Sequence, residues 1–338
     1  MSLVKKILHH ISVLVYLFFA LLLFLSNISV FIDPGKIWPF AFLGLFFPYL
    51  LLINFGFLIF WLFKRKWLFL VSLSILLLGY NNISAYVQLP FSPFKFLTSK
   101  KSLSNTKIKI LTYNVRSFNR TSFNGIQNST DDIIKLVKTE KPDIVCFQEF
   151  YSNSKGIHSF TDILSKLKPL KYFYAFCSYS NQSEANIGVV IFSKFPIIKK
   201  KQLVFKQSIN TSMYCDVLIK KDTVRIFNNH LQSFQLLEGD LDFFDTLRFS
   251  YDLKNKAELK SITYKLREAY KKRASQANLV SENIKKSPYS TIVCGDFNDT
   301  PVSYAYRKMK GDLYDSFKEK GTGISNTYNG KIPSFRID

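Results

Sequence analysis

Three apolar runs without a single Asp, Glu, Lys or Arg open this 338-residue chain, and they restrict what its N-terminal part can become. They extend from Ile11 to about Ile32, from Trp38 to Phe63, and from Trp67 to about Leu89. A helix crosses about 30 Å of hydrocarbon with about 20 apolar residues, and each run reaches that length. Trp38, Trp61 and Trp67 stand at or near run ends, where interfacial aromatics belong. Lys5 and Lys6 would suit the head of a signal peptide, but no small-residue cleavage site follows and two further runs do. Residues 1–89 are therefore expected to be a membrane region of three transmembrane α-helices, embedded in a lipid bilayer.

Orientation follows from the basic residues. Lys5 and Lys6 precede the first run, and Lys64, Arg65 and Lys66 separate the second from the third. The connection through Asp33 and Lys36 is nearly neutral. Positive residues stay in the cytoplasm, so the N-terminus and the 64–66 loop belong there. Three spans then put everything after Leu89 on the extracytoplasmic side, as in a multi-pass protein of a bacterial inner or plasma membrane. Asn81, Asn82 and Gln88 thin the third run; a re-entrant segment there would reverse the topology.

Residues 90–106 read as a linker, with two prolines, Ser, Thr and Lys and no sustained period. From Lys107 onward short strands and helices take over. Of the 46 basic and 24 acidic residues, six basic and one acidic lie in residues 1–87, so the remainder carries an excess of 17 positive charges. That excess permits a phosphate-bearing substrate without requiring one, because the chain is rich in Lys, Asn, Ile and Phe throughout. Cys146, Cys177, Cys215 and Cys294 sit in apolar strands without metal-ligand spacing and read as buried thiols.

The strand candidates are 107–115, 143–149, 171–177, 186–197, 214–220, 222–233 and 291–296. Helices are expected at 131–143, ending at Pro142, and at 258–286. Residues 234–260 read as an insertion without a clear period. Four strands run apolar and then end in polar clusters: Asn114, Gln148–Glu149, Asn228–His230 and Asp296–Asn298. The last lies in GDFND, where Pro301 forbids the strand from continuing. A lone cluster of this kind is a polar turn. Several at carboxyl ends can converge on one rim and form a site. One Glu and one Asp with amide neighbours are hard oxygen donors, suited to Mg²⁺ or Mn²⁺ and not to zinc.

In order along the chain, TYNVR (112–116), PDIVCFQE (142–149), GVVIFSKFPI (188–197), NNHL (228–231), GDFND (295–299) and SFRID (334–338) resemble the motifs of the endonuclease/exonuclease/phosphatase superfamily. These are the deoxyribonuclease I-like metal-dependent phosphoesterases. The resemblance covers residues 107–338 and implies an α/β fold: a four-layer α/β/β/α sandwich of two packed mixed β-sheets flanked by helices. By that resemblance Glu149 binds the metal with Asn114 beside it. His230 faces the phosphate, and Asp296 and Asn298 position the attacking water and the phosphate. Gln148 and Asn228 fall in substrate-binding places. Asp338 matches the aspartate that orients a second histidine, the family's usual general base, yet no His follows Asp296. The expectation is thus a domain lacking its final strands. It would be a membrane-anchored phosphodiesterase of nuclease type acting on nucleic acid or a phospholipid headgroup. A sphingomyelinase-like lipid phosphodiesterase and a phosphate-binding pseudo-enzyme are the alternatives. No protein partner is implied.

Overall fold

The computed structural model describes residues 3–89, 107–119, 129–153, 159–180, 186–206, 208–234, 253–328 and 336–338. The linker expected at 90–106 lies outside these residues, as does most of the expected insertion. Its last residues, from 253, already belong to a helix.

The chain forms two compact units that do not follow its order. One comprises residues 1–99, 234–278 and 299–337, and the other residues 100–233 and 279–298 with Asp338. In the first, α1 (Leu3–Ser29) is followed by α2 (Pro39–Leu45), α3 (Phe47–Phe63), α4 (Phe69–Leu78) and α5 (Tyr80–Tyr86). Tyr16, Ala20, Leu23 and Ser26 recur at helical spacing and form the buried stripe of α1, while its remaining faces expose large apolar side chains. Among the described residues only α1 is by itself long and apolar enough to cross a membrane; α2 with α3, bent by 64°, and α4 with α5, bent by 70°, reach that length only as broken pairs. The second and third expected spans are therefore not straight helices. Pro48, which lacks an N–H, sits in the first turn of α3. The other break falls at Gly79, where an added Cβ would lie 2.5 Å from Asn27 Oδ1. The third run also ends early: β1 (Val87–Gln88) leaves the helix and pairs antiparallel with β10 (Gly323–Ile324).

The second unit is built of two four-stranded sheets. The first has the order β2 (Ile110–Asn114), β3 (Ile144–Ser152), β5 (Asn186–Ser193), β4 (Tyr172–Ser180). The second has β6 (Ile197–Val204), β7 (Thr211–Ile219), β8 (Asp222–His230), β9 (Ser290–Asp296). Both are mixed: β2–β3 and β8–β9 pair parallel and the rest antiparallel. Ile144, Cys146, Val189 and Ile191 of the first sheet share one core with Met213, Cys215, Val217 and Ile226 of the second. Alternate residues Val145, Phe147, Val190 and Phe192 face the other way, into a core with Ile133, Ile134 and Val137 of α6 (Thr130–Glu140) and Ile163 of α7 (Phe160–Lys166). Each such side chain contributes about 1.5–3 kcal/mol by leaving water. The helix α8 (Leu253–Lys285) precedes β9, and α9 (Tyr304–Lys310) and α10 (Ser316–Lys320) follow it.

The structure departs from three expectations. Residues 186–197 do not form one strand: the turn at 194–196 separates β5 from β6, whose lysine-rich residues are mostly exposed. The strand through Glu149 does not stop there but runs on to Ser152. Cys177 of β4 is exposed, while Cys146, Cys215 and Cys294 are buried as free thiols.

Candidate active site

Two edge strands, β2 of the first sheet and β9 of the second, end with polar residues that meet. Asn114 closes β2, and its Nδ2 donates to Glu149 Oε1 and to Asp296 Oδ2, each at 2.9 Å. One amide thus gathers two carboxylates from two different sheets. The Asn114 Oδ1 accepts the Arg116 N–H at 3.0 Å, which fixes the direction of the amide. Arg116 to Asn119 all have positive φ, and Phe118 anchors that turn in the core at 1% exposure.

Glu149 reaches the site through a bulge. On β3, Phe147 pairs with Val190 and Phe150 with Gly188, so Gln148 and Glu149 stand against the single residue Val189. Glu149 takes φ 49°, the left-handed region, which costs an L-residue about 1–2 kcal/mol. A bulge re-aims side chains, and here Gln148 is fully buried while Glu149 stays over a third exposed. Glu149 was expected at a strand end; the structure puts it within a strand, turned out by one extra residue.

His230 and Asp296 occupy the same rung of the parallel β8–β9 pair. His230 Nε2 lies 3.6 Å from Glu149 Oε1. Asp296 Oδ1 accepts the Asn298 N–H at 2.8 Å, and Asn298 Nδ2 donates to Leu231 O at 2.9 Å, so the turn folds back on the end of β8. Gly295 makes this approach feasible: φ is 134°, and an added Cβ would stand 2.0 Å from Asn229 O. Burial pushes the Asp296 carboxyl up. His230, the Asn114 amide and the Asn298 N–H pull it back, and Glu149 pushes it up further, with a raised value as the outcome.

Asn228 and Gln148 do not face outward. Both are fully buried. Asn228 Nδ2 donates to Phe147 O and Val190 O at 2.9 Å, and its Oδ1 accepts from Gln148 Nε2 at 2.7 Å. Both of the amide's donors are used, so Asn228 has none left for a substrate. The pair forms a polar brace between the sheets, beneath Asn114, Glu149, His230 and Asp296. Asp338 is half-buried and groups with the sheets by its contacts.

Among the described residues there is no group of three or more His, Cys, Asp or Glu side chains set to hold a metal ion. The donors present nonetheless suit a hard cation. Mg²⁺ is usually held by one or two carboxylates and keeps several waters, and the partly exposed Glu149 offers one such carboxylate, while Asn114 turns its N–H groups and not its oxygen toward it. The Asn114 amide hydrogens lie between the two carboxylates, where their partial positive charge offsets two like charges.

A family model described as the Endonuclease/Exonuclease/phosphatase family matches residues 111–338, and a second, described as a domain of unknown function, matches residues 5–86. Among solved structures, a beta hairpin deletion mutant of beta toxin from Staphylococcus aureus is 20% identical, with 62% of this chain and 73% of that chain covered and a TM-score of 0.42. Sphingomyelinase C from Streptomyces griseocarneus is 18% identical, with 62% and 70% covered and a TM-score of 0.42. The human Nocturnin catalytic domain with bound sulfate is 14% identical, with 65% and 78% covered and a TM-score of 0.43. No curated protein matches the chain.

Proposed function

This chain belongs to the endonuclease/exonuclease/phosphatase family, and on that premise we propose that it is a membrane-anchored hydrolase of phosphodiester bonds working with Mg²⁺ or Mn²⁺. The observation that carries the reading is the meeting of Glu149 and Asp296 on one Asn114 amide with His230 beside them. Glu149 would hold the ion, with Asn114 orienting its carboxylate. Bound there, the ion would neutralise phosphate oxygens and the charge that grows on the leaving oxygen.

The chain's own groups supply the rest. His230 Nε2 donates to a phosphate oxygen as negative charge develops on it. Asp296 takes the proton of the attacking water. The Asn298 N–H holds its Oδ1 in place for that transfer. Asn298 shapes the turn and presents its Oδ1 to that water. Asn228 and Gln148 keep the two sheets in register under the reacting groups.

The anchor is α1, joined by the α2–α3 and α4–α5 pairs as two bent spans. The exposed apolar faces of these helices support it. With Lys64–Lys66 held in the cytoplasm, the phosphoesterase domain lies on the extracytoplasmic side. Full-length protein in neutral detergent, assayed with Mg²⁺ on plasmid DNA, a phosphomonoester and sphingomyelin, tests the reaction. Diester turnover that chelation stops supports the reading, and a preference for sphingomyelin names a lipid diester. Intact substrates throughout, with either ion, would leave a phosphate-binding protein without catalysis.

A further inference from the structure

The outer face of the second sheet carries a cationic groove that the reaction does not use. It encloses about 310 Å³ and is lined by Lys199 and Lys201 of β6, Tyr214 and Asp216 of β7, Arg225 of β8 and, further along the chain, Asn283, Lys286 and Tyr289. Sheet register explains why these residues share a face. Lys199 pairs with Asp216, which pairs with Arg225; Lys201 pairs with Tyr214 two rungs on. Period-2 alternation sends Lys200 the other way, over the Tyr174 ring at 5.5 Å.

The groove has a rigid floor. Arg225 is 4% exposed, and its Nε and Nη2 donate to the two oxygens of Asp216 at 2.6 and 2.8 Å. Its guanidinium lies 4.1 Å from the Tyr214 ring centre. Nη1 has no hydrogen-bond partner among the described residues. Asp216, the one acid lining the groove, is thus already engaged in a bidentate pair. Lys199, Lys201 and Lys286 form no ion pair among the described residues; Lys201 donates to Asn283 Oδ1 at 3.3 Å and lies 6.0 Å from the Tyr214 ring centre. Three ammonium groups around a neutralised pair repel one another, and an anion between them would remove that cost. The volume is at the low end for small-molecule sites and too small for a duplex. Tyr289, 39% exposed, offers a ring at the rim.

We propose that this groove is a second anion site that binds a phosphate monoester group, held by Lys199, Lys201 and Lys286 over the Arg225–Asp216 floor. Arg225 precedes His230 by five residues on β8, about 17 Å along the strand, so the bound phosphate is not the one hydrolysed. The site does not depend on the catalytic reading. The phosphate can belong to a nucleotide or to a lipid headgroup, and the chemistry of recognition is the same.

Full-length protein in neutral detergent and EDTA is titrated calorimetrically with inorganic phosphate, adenosine monophosphate and dihexanoyl phosphatidic acid. Saturable binding of at least one probe is expected, weakening about tenfold or more in Lys199→Gln/Lys201→Gln and in Lys286→Gln. The charge-matched pair Lys135→Gln/Lys138→Gln, on exposed positions of α6, should leave it unchanged. Tighter adenosine monophosphate points to a nucleotide, and tighter phosphatidic acid to a headgroup. Absence of saturable binding, or an equal loss in the control pair, overturns the proposal.

Discussion

Asn228 shows how a single residue can serve a site it does not touch. Its amide spends both N–H groups on backbone carbonyls of β3 and β5 and its oxygen on Gln148. Replacing Asn228 with Ala would leave two carbonyls and the Gln148 amide buried without that partner. Each such group costs about 1–3 kcal/mol. Asn228→Ala should therefore lose about 2–4 kcal/mol of stability in urea denaturation, and slow turnover through kcat with KM nearly unchanged. A rise in KM alone, with stability intact, would mean that Asn228 touches substrate after all. From the sequence, Asn228 and His230 look alike, as polar residues ending an apolar strand. Which of them faces out depends on the partner sheet, which strand periodicity does not contain.

Elements differ in how plainly the sequence declares them. The ends of β2, β8 and β9 are legible because apolar alternation stops at Asn114, His230 and Asp296, and because Gly295 and Pro301 allow only a turn. The bulge at Gln148–Glu149 is not legible, since one inserted residue leaves the run FQEFYS apolar and polar in an ordinary order. β6 escapes notice for the opposite reason: as a mostly exposed edge strand it has no buried stripe to count. The bends of the second and third apolar runs had their signals in Pro48 and Gly79. Length and hydropathy do not weigh such single residues.

At the start of the first sheet, Asp143 ties three segments together, accepting from the Lys109 N–H at 2.8 Å and Lys194 Nζ at 2.9 Å. Burial opposes its charge, but the Lys109 N–H and the Lys194 ammonium outweigh that and hold its carboxyl below the usual range. A carboxyl lowered by folding stabilises above its unfolded pKa, and that stability is lost as pH falls through the lower folded value. Asp143→Asn should cost about 1 kcal/mol at neutral pH, and the gap to wild type should close in acid. Urea denaturation at neutral and acidic pH reads this; a gap of constant size would show that the ionised form of Asp143 carries no stability.

The whole molecule combines an apolar N-terminal part with a family domain at residues 111–338. The proposed topology makes residue 65 cytoplasmic and residue 143 extracytoplasmic. In spheroplasts, a cysteine placed at Asp143 in a background lacking the four native thiols should react with a membrane-impermeant maleimide, and one at Arg65 should not. Reversed labelling would place the domain in the cytoplasm and exclude a three-span arrangement with the basic loop inside.

Calorimetric titration of Mg²⁺ into full-length wild type and Glu149→Gln is the most direct test that the four strand-borne polar residues form one metal-dependent site. Glu149 sits at a half-open bulge and not in either core, so the substitution should leave the fold unchanged by circular dichroism. The account predicts one Mg²⁺ bound by wild type and none measurable in Glu149→Gln, with Mg²⁺-supported diester hydrolysis lost alongside. Equal Mg²⁺ affinity in the two proteins would contradict it.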